Sequence, residues 1–136
     1  MTSTLYWNDG LIFSNETPIG DFINSKMLSC EYKLNEKKIQ FEQLDLNNRR
    51  IAILDQDRKR LGMIYKSKWS KSAKIELIDN SEFELKSNGI LSNTWKIKAN
   101  DNDLIEYKKG LLSNGKISYV FPNETLILAG LYILND

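Results

Sequence analysis

Lys74-Ile75-Glu76-Leu77-Ile78-Asp79-Asn80-Ser81-Glu82-Phe83-Glu84-Leu85-Lys86 alternates apolar and charged side chains on either side of a polar break. Successive side chains of a strand point to opposite faces, so this alternation predicts two strands, each with one dry and one wet face. Asp79-Asn80 between them is of the type that reverses a chain, because Asp and Asn tolerate left-handed backbone. The reading is therefore a hairpin.

Working outward, the same pattern recurs. Ile51 to Asp55 turns into Leu61 to Tyr65, and Trp95 to Lys98 turns into Leu104 to Tyr107 across Asn100–Asp103. The hairpin starts lie 24 and then about 20–22 residues apart. Three successive hairpins predict an antiparallel meander that curls into a barrel or a sandwich, each unit being too short for a propeller blade. Further strands are expected near Leu11–Phe13, Ile19–Ile23, Leu28–Leu34 and Ile39–Phe41. Asn114-Gly115, between Leu111-Leu112 and Ile117–Phe121, has the residues a type I′ turn requires and reads as the most specific hairpin signal of all.

The last segment departs from this pattern. Thr125-Leu-Ile-Leu-Ala-Gly-Leu-Tyr-Ile-Leu134 is apolar on every face. Periodicity alone does not separate a buried strand from a buried helix. Its length and the preceding Pro122-Asn123-Glu124, with Asn123 or Thr125 able to cap, favour a helix. The fold expected is thus mostly β: an antiparallel hairpin meander closing into a β-barrel, with an apolar C-terminal helix. An up-and-down barrel or a β-sandwich is the alternative.

With 136 residues, 41% of them hydrophobic, and no linker between segments, the chain reads as one globular domain, residues 1–136. A net charge of +1 gives no global pull toward nucleic acid or anionic lipid, so any such pull must be local. Residues 1–10 lack a basic stretch followed by an apolar one, and the longest apolar run is too short to span a membrane. A reducing, cytoplasmic location is expected, with Cys30 a buried small hydrophobe and the two Asn-x-Thr sequons incidental. The chain has no histidine, which removes the commonest general base and metal ligand. No phosphate-cradling glycine motif occurs either. Asp55-Gln-Asp57 and Asp101-Asn-Asp103 are read as turn chemistry, not as calcium or catalytic pairs. No enzyme activity, metal or cofactor is expected. Trp7 and Trp95 are expected in the core.

One charge asymmetry stands out. Residues 49–74 hold nine basic and two acidic residues, a net +7 that the rest of the chain offsets with −6. Within it Arg58, Lys59, Arg60, Lys66, Lys68, Lys71 and Lys74 surround Tyr65 and Trp69 with no intervening acid. Such a mixture can hold phosphate groups while an aromatic anchors at a lipid interface or stacks on a base. The bland alternative is a solvated strand face whose lysines guard against edge pairing, with Trp69 in the core.

Arg60-Leu-Gly-Met-Ile-Tyr-Lys-Ser-Lys-Trp69, the hairpins from Lys74 to Tyr107 and the terminal Thr125–Leu134 together resemble the tubby-like C-terminal fold shared by LURP-one-related proteins and phospholipid scramblases. The Leu-Gly-x-Ile strand followed by Lys-x-Lys-Trp is similar to a hairpin of the LURP-one-related group. The resemblance is one of pattern and spans roughly residues 50–136. It implies a closed barrel around a hydrophobic C-terminal helix, association with lipid or phosphoinositide or service as an interaction module, and no catalytic residue. The chain is shorter than typical members, which tells against a full twelve-strand barrel. Anionic lipid headgroups or a protein partner are the expected partners, and nucleic acid is the weaker reading. A carrier barrel for a small apolar ligand, or an inhibitor-type module for another protein, are the alternatives. If the last segment is a helix filling the barrel, no room is left for a cargo.

Overall fold

A computed structural model describes residues 2–23, 28–47, 49–68, 72–89 and 93–135. Among the described residues the chain forms twelve strands and one helix. The strands are β1 (Ser3–Asn8), β2 (Leu11–Ser14), β3 (Thr17–Phe22), β4 (Ser29–Leu34), β5 (Lys37–Gln43) and β6 (Arg50–Leu54), then β7 (Arg60–Lys66), β8 (Ser72–Leu77), β9 (Glu82–Ser87), β10 (Thr94–Ala99), β11 (Asn102–Lys109) and β12 (Asn114–Tyr119). The helix α1 spans Glu124–Asn135. Each strand pairs antiparallel with the next, and β1 pairs with β12, so the meander closes into a barrel. The expected barrel and C-terminal helix are both present. Twelve strands fit this short chain because they are only 4–8 residues long and several are joined by two-residue turns.

The turns follow from residues that accept positive φ. Asp9 and Gly10 (φ 51° and 85°) join β1 to β2, and Asn100 and Asp101 (50° and 69°) join β10 to β11. Asn15, Asn35 and Asn80 take the same conformation in three further turns. Asparagine is suited to this because its short amide tolerates left-handed backbone.

Asn114-Gly115 is not a turn. These residues open β12, and the reversal lies at residues 110–113, closed by the Gly110 N–H donating to the Asn114 carbonyl at 2.9 Å. Leu111 and Leu112, expected in a strand, sit in this loop and are 103% and 79% exposed. The reason lies across the sheet, where a Cβ on Gly115 would come within 2.2 Å of the Trp7 ring. Gly115 is there for the indole. Trp7 belongs to β1, a strand that was not expected from the sequence and whose Leu5 and Trp7 face inward.

Inside the barrel lies α1. Nine of its twelve residues are buried, and Leu126, Leu128, Ala129 and Leu131 are fully so. Asn123 starts it by accepting the Leu126 N–H on its side-chain oxygen at 3.1 Å, a standard N-cap. The other capping candidate, Thr125, is instead buried within the helix. Leu126, Leu128 and Leu131 each contribute roughly 1.5–3 kcal/mol by leaving water. The wall grips the helix through specific contacts. Tyr132 stacks on Phe41 at 4.5 Å, while Tyr32 meets both rings edge-on and stacks on Phe22 at 4.8 Å. Tyr107, on β11, donates its hydroxyl to the carbonyls of Ile127 at 2.8 Å and Leu126 at 3.2 Å. Burial pushes the Tyr107 phenol well above its ordinary pKa, so it remains a donor. Cys30 and Trp7 are buried, and Trp95 packs against the core, as expected.

Because strands alternate in direction, their connections alternate between two ends of the barrel. The helix enters at the end carrying the β2–β3, β4–β5, β6–β7, β8–β9 and β10–β11 turns. There Asn35 donates to Glu124 at 2.7 Å. It finishes at the opposite end, where Lys109 Nζ reaches the Leu134 carbonyl at 3.4 Å.

Candidate functional site

The basic segment runs the length of the barrel instead of forming one patch. Arg58 and Lys59 lie in the β6–β7 connection and Arg60 opens β7, all at the helix-entry end. Lys66 closes β7, with Lys68 just beyond it, at the other end. At about 3.3 Å per strand residue, Arg60 and Lys66 stand roughly 20 Å apart. Lys74 lies on β8 opposite Tyr65. Trp69 and Lys71 lie outside the described residues.

Acids from neighbouring strands and from the β5–β6 connection answer part of the local positive charge. Arg58 Nη2 meets Glu42 at 2.7 Å and its Nη1 donates to Gln40 at 2.9 Å, with Arg58 itself held at φ 63°. Arg50 meets Asp45 at 3.2 Å and Lys74 meets Glu82 at 2.8 Å. These pairs are half or more exposed on the basic side, so each is worth little in stability. Their effect is on the field: the +7 counted along the chain is diluted by Glu42, Asp45 and Glu82 in space. A cleft of about 580 Å³ beside Tyr65, Lys66 and Lys74 is lined as well by Glu82, Glu84 and Lys98. It is mixed in sign.

Asp55 and Asp101 do what the turn reading expects, Asp101 at φ 69° between β10 and β11, whereas Asp103 lies on β11 and pairs with lysines of the adjoining strand. Asp55 accepts the backbone N–H groups of Asp57 and Lys59, both at 2.9 Å. Asp103 meets Lys96 at 3.1 Å and Lys98 at 3.3 Å. Among the described residues no cluster of three or more metal-ligating side chains occurs.

A second cleft, of about 490 Å³, lies between β1, β11 and β12. It is lined by Tyr6, Phe13, Lys108, Lys109 and Lys116 and by no carboxylate. These lysines do not stand out in the sequence, because Glu106 adjoins two of them along the chain and a six-residue gap separates Lys109 from Lys116. The signal was the hairpin register, which sets Lys108 opposite Lys116.

The barrel end where the helix finishes also carries exposed apolar side chains. Leu46 is 102% exposed, Leu28 70% and Ile23 60%, and Leu111 and Leu112 share this end. They lie on the β11–β12, β3–β4 and β5–β6 connections, an arc interrupted only by the β1–β2 turn. Arg49, Lys66 and Lys68 follow next around the ring, where the Lys66 N–H donates to the Arg49 carbonyl at 2.7 Å.

Asp45 is held below the ordinary aspartate range by the Arg49 N–H, Asp79 by the Ser81 hydroxyl and Asp103 by Lys96. Hydrogen bonds from Lys74 to Glu82 and from Lys86 to Glu84 raise the two lysines. The depressed aspartates stabilise the fold above their unfolded-state pKa and lose that contribution as pH falls through the folded one. The raised lysines contribute below their unfolded-state pKa and lose it as pH rises through the folded one. With no histidine in the chain, the urea midpoint is expected to be flat between about pH 5.5 and 8, to fall in acid as the depressed aspartates protonate, and to fall in strong alkali as the raised lysines lose their protons. A sloping midpoint across that neutral window would contradict this assignment.

No family model, curated protein or solved structure matches the chain. Among the described residues no helix is long and apolar enough to cross a membrane.

Proposed function

We propose that the protein is a non-catalytic binding module of the tubby-like kind, which docks on an anionic membrane surface with the barrel end where the helix finishes. The observation carrying this reading is the arc of exposed Leu28, Leu46, Leu111 and Leu112 beside Lys66 and Lys68 at that one end. Apolar loop tips flanked by cations suit the boundary between headgroups and acyl chains. Each lysine near the surface adds about 1 kcal/mol of attraction, and each leucine that inserts adds at least as much. Binding is therefore weak, reversible and sensitive to salt. The helix occupies the space an apolar cargo would need, which favours an outer surface over a carrier interior.

Flotation with phosphatidylcholine vesicles, with and without phosphatidylserine, tests the proposal. Binding is expected only with phosphatidylserine, to weaken as salt rises past about 0.1 M, and to drop at least about tenfold in the Lys66→Glu/Lys68→Glu variant. A protein partner is the second reading, favoured by the same exposed leucines. Indifference to both vesicle compositions would select it and reject membrane docking.

A further inference from the structure

We infer that the cleft between β1, β11 and β12 is a headgroup site, in which Lys108 and Lys116 hold the phosphate of an anionic lipid while Leu111 and Leu112 enter the bilayer beside it. The inference rests on the membrane-docking reading and adds a second, separate contact to it.

The cleft carries an electrostatic cost. On the outer face, the register sets Lys108 directly opposite Lys116, and like charges in this position repel. Other such oppositions on the barrel wall are relieved. Lys86 opposite Lys96 has Glu84 at 2.8 Å, with Asp103 at 3.1 Å from Lys96, and Lys33 opposite Lys38 has Asp21 on its other side. The Lys108–Lys116 pair has less. The contact between Lys108 and Glu106 is at 3.9 Å, and Lys116 makes no ion pair among the described residues. Lys109, next along β11, turns its ammonium the other way, to the Leu134 carbonyl of the enclosed helix, and leaves the outer face to Lys108 and Lys116. A phosphate between these groups replaces repulsion with short charge-assisted hydrogen bonds.

Geometry selects a lipid as the source of that phosphate. Leu111 and Leu112 form the tip of the hairpin whose stem carries the lysines, and both stand clear of the barrel. A soluble phosphate has no use for that tip. A lipid headgroup brings the acyl boundary within its reach. Tyr6, opposite Lys116 on β1 and 45% exposed, adds an amphipathic ring at the same level.

Lys116→Glu is the test. It exchanges a repelling pair for an attracting one, so its melting temperature is expected to rise while binding to phosphatidylcholine/phosphatidylserine vesicles falls by roughly tenfold or more. Lys116→Arg keeps both properties near wild type. Leu111→Ser/Leu112→Ser also weakens vesicle binding. It leaves unchanged the amide shifts that inorganic phosphate induces at Gly115 and Lys116, read by NMR. If Lys116→Glu binds vesicles as wild type does while Lys66→Glu/Lys68→Glu does not, the cleft is no headgroup site and membrane docking stands. If wild type ignores both vesicle compositions, docking falls and the lipid assignment with it. Phosphate-induced shifts without any vesicle binding overturn the lipid assignment as well.

Discussion

A Gly130→Ala variant is expected to lose about 3 kcal/mol or more of folding stability, although alanine normally gains about 1 kcal/mol over glycine inside a helix. The new methyl would stand 2.2 Å from Tyr107 Oη, 2.4 Å from its Cζ and 2.7 Å from its Cε1. Neither partner can yield cheaply. The helix is enclosed by the barrel, and the Tyr107 ring is fully buried with its hydroxyl bound to the carbonyls of Ile127 and Leu126. Displacing the ring breaks those bonds and opens a void beside it. Urea unfolding of the variant gives the loss directly. A Tyr107→Leu background supplies the control, because removing the ring should let the introduced alanine recover much of its helix advantage. Equal stability of Gly130→Ala and wild type would mean that the helix can shift within the barrel.

Gly62→Ala is the second large effect, expected at about 2–3 kcal/mol, because here the obstacle is backbone. A Cβ on Gly62 would meet the Glu76 carbonyl at 2.4 Å and the Leu77 Cα at 3.1 Å on the adjoining strand. Gly20 stands in the same relation to the Lys33 carbonyl, at 2.2 Å. Strands that coil tightly enough to close a barrel approach one another at such points, and glycine permits it. To admit a methyl, β8 must move away from β7, which pulls the ladder bonds on both sides. Leu111→Ala, at a fully exposed position, is the control and should stay within about 0.5 kcal/mol of wild type. If Gly62→Ala unfolds at the wild-type denaturant concentration, the close approach of β7 and β8 is not a condition of closure.

The middle of the fold could be read from the chain because its strands carry both signals at once. Ile75, Leu77, Phe83 and Leu85 alternate with charges, and Asn80 and Asn100–Asp101 mark reversals with residues suited to positive φ. The helix was legible from Asn123 and from an apolar surface with no polar face. The Asn114-Gly115 reading went wrong for a physical reason. Its glycine answers to Trp7, more than a hundred residues away, and local turn preference cannot register that contact. The Asp9-Gly10 turn, by contrast, had as good a local signature and Leu5 and Trp7 before it, so β1 was open to the same reasoning.

Charge was harder to place than structure. Counting along residues 49–74 treats neighbours in sequence as neighbours in space, whereas β7 carries Arg60 and Lys66 to opposite ends. Glu42 and Glu82 reach the segment through strand pairing, and Asp45, just outside the counted window, through the β5–β6 connection. Lys108 and Lys116 show the reverse case, two unremarkable positions made adjacent by a hairpin. Once a register is assigned, cross-strand charge can be tabulated from sequence, and that step would have exposed the cleft.

The closure of β1 onto β12 also governs how the chain must come together during synthesis. Every other strand pairing joins consecutive strands and can zip as the polypeptide emerges, but Ser3 meets Tyr119 only after all the strands between them have been made. Until then the growing sheet has two bare margins and an oily inner surface that α1 has yet to cover. Contacts so distant in sequence form slowly, and unpaired margins recruit other chains. The growing barrel therefore passes its most vulnerable interval just before β12 and α1 emerge, and removing those two elements should yield aggregates in place of a smaller barrel.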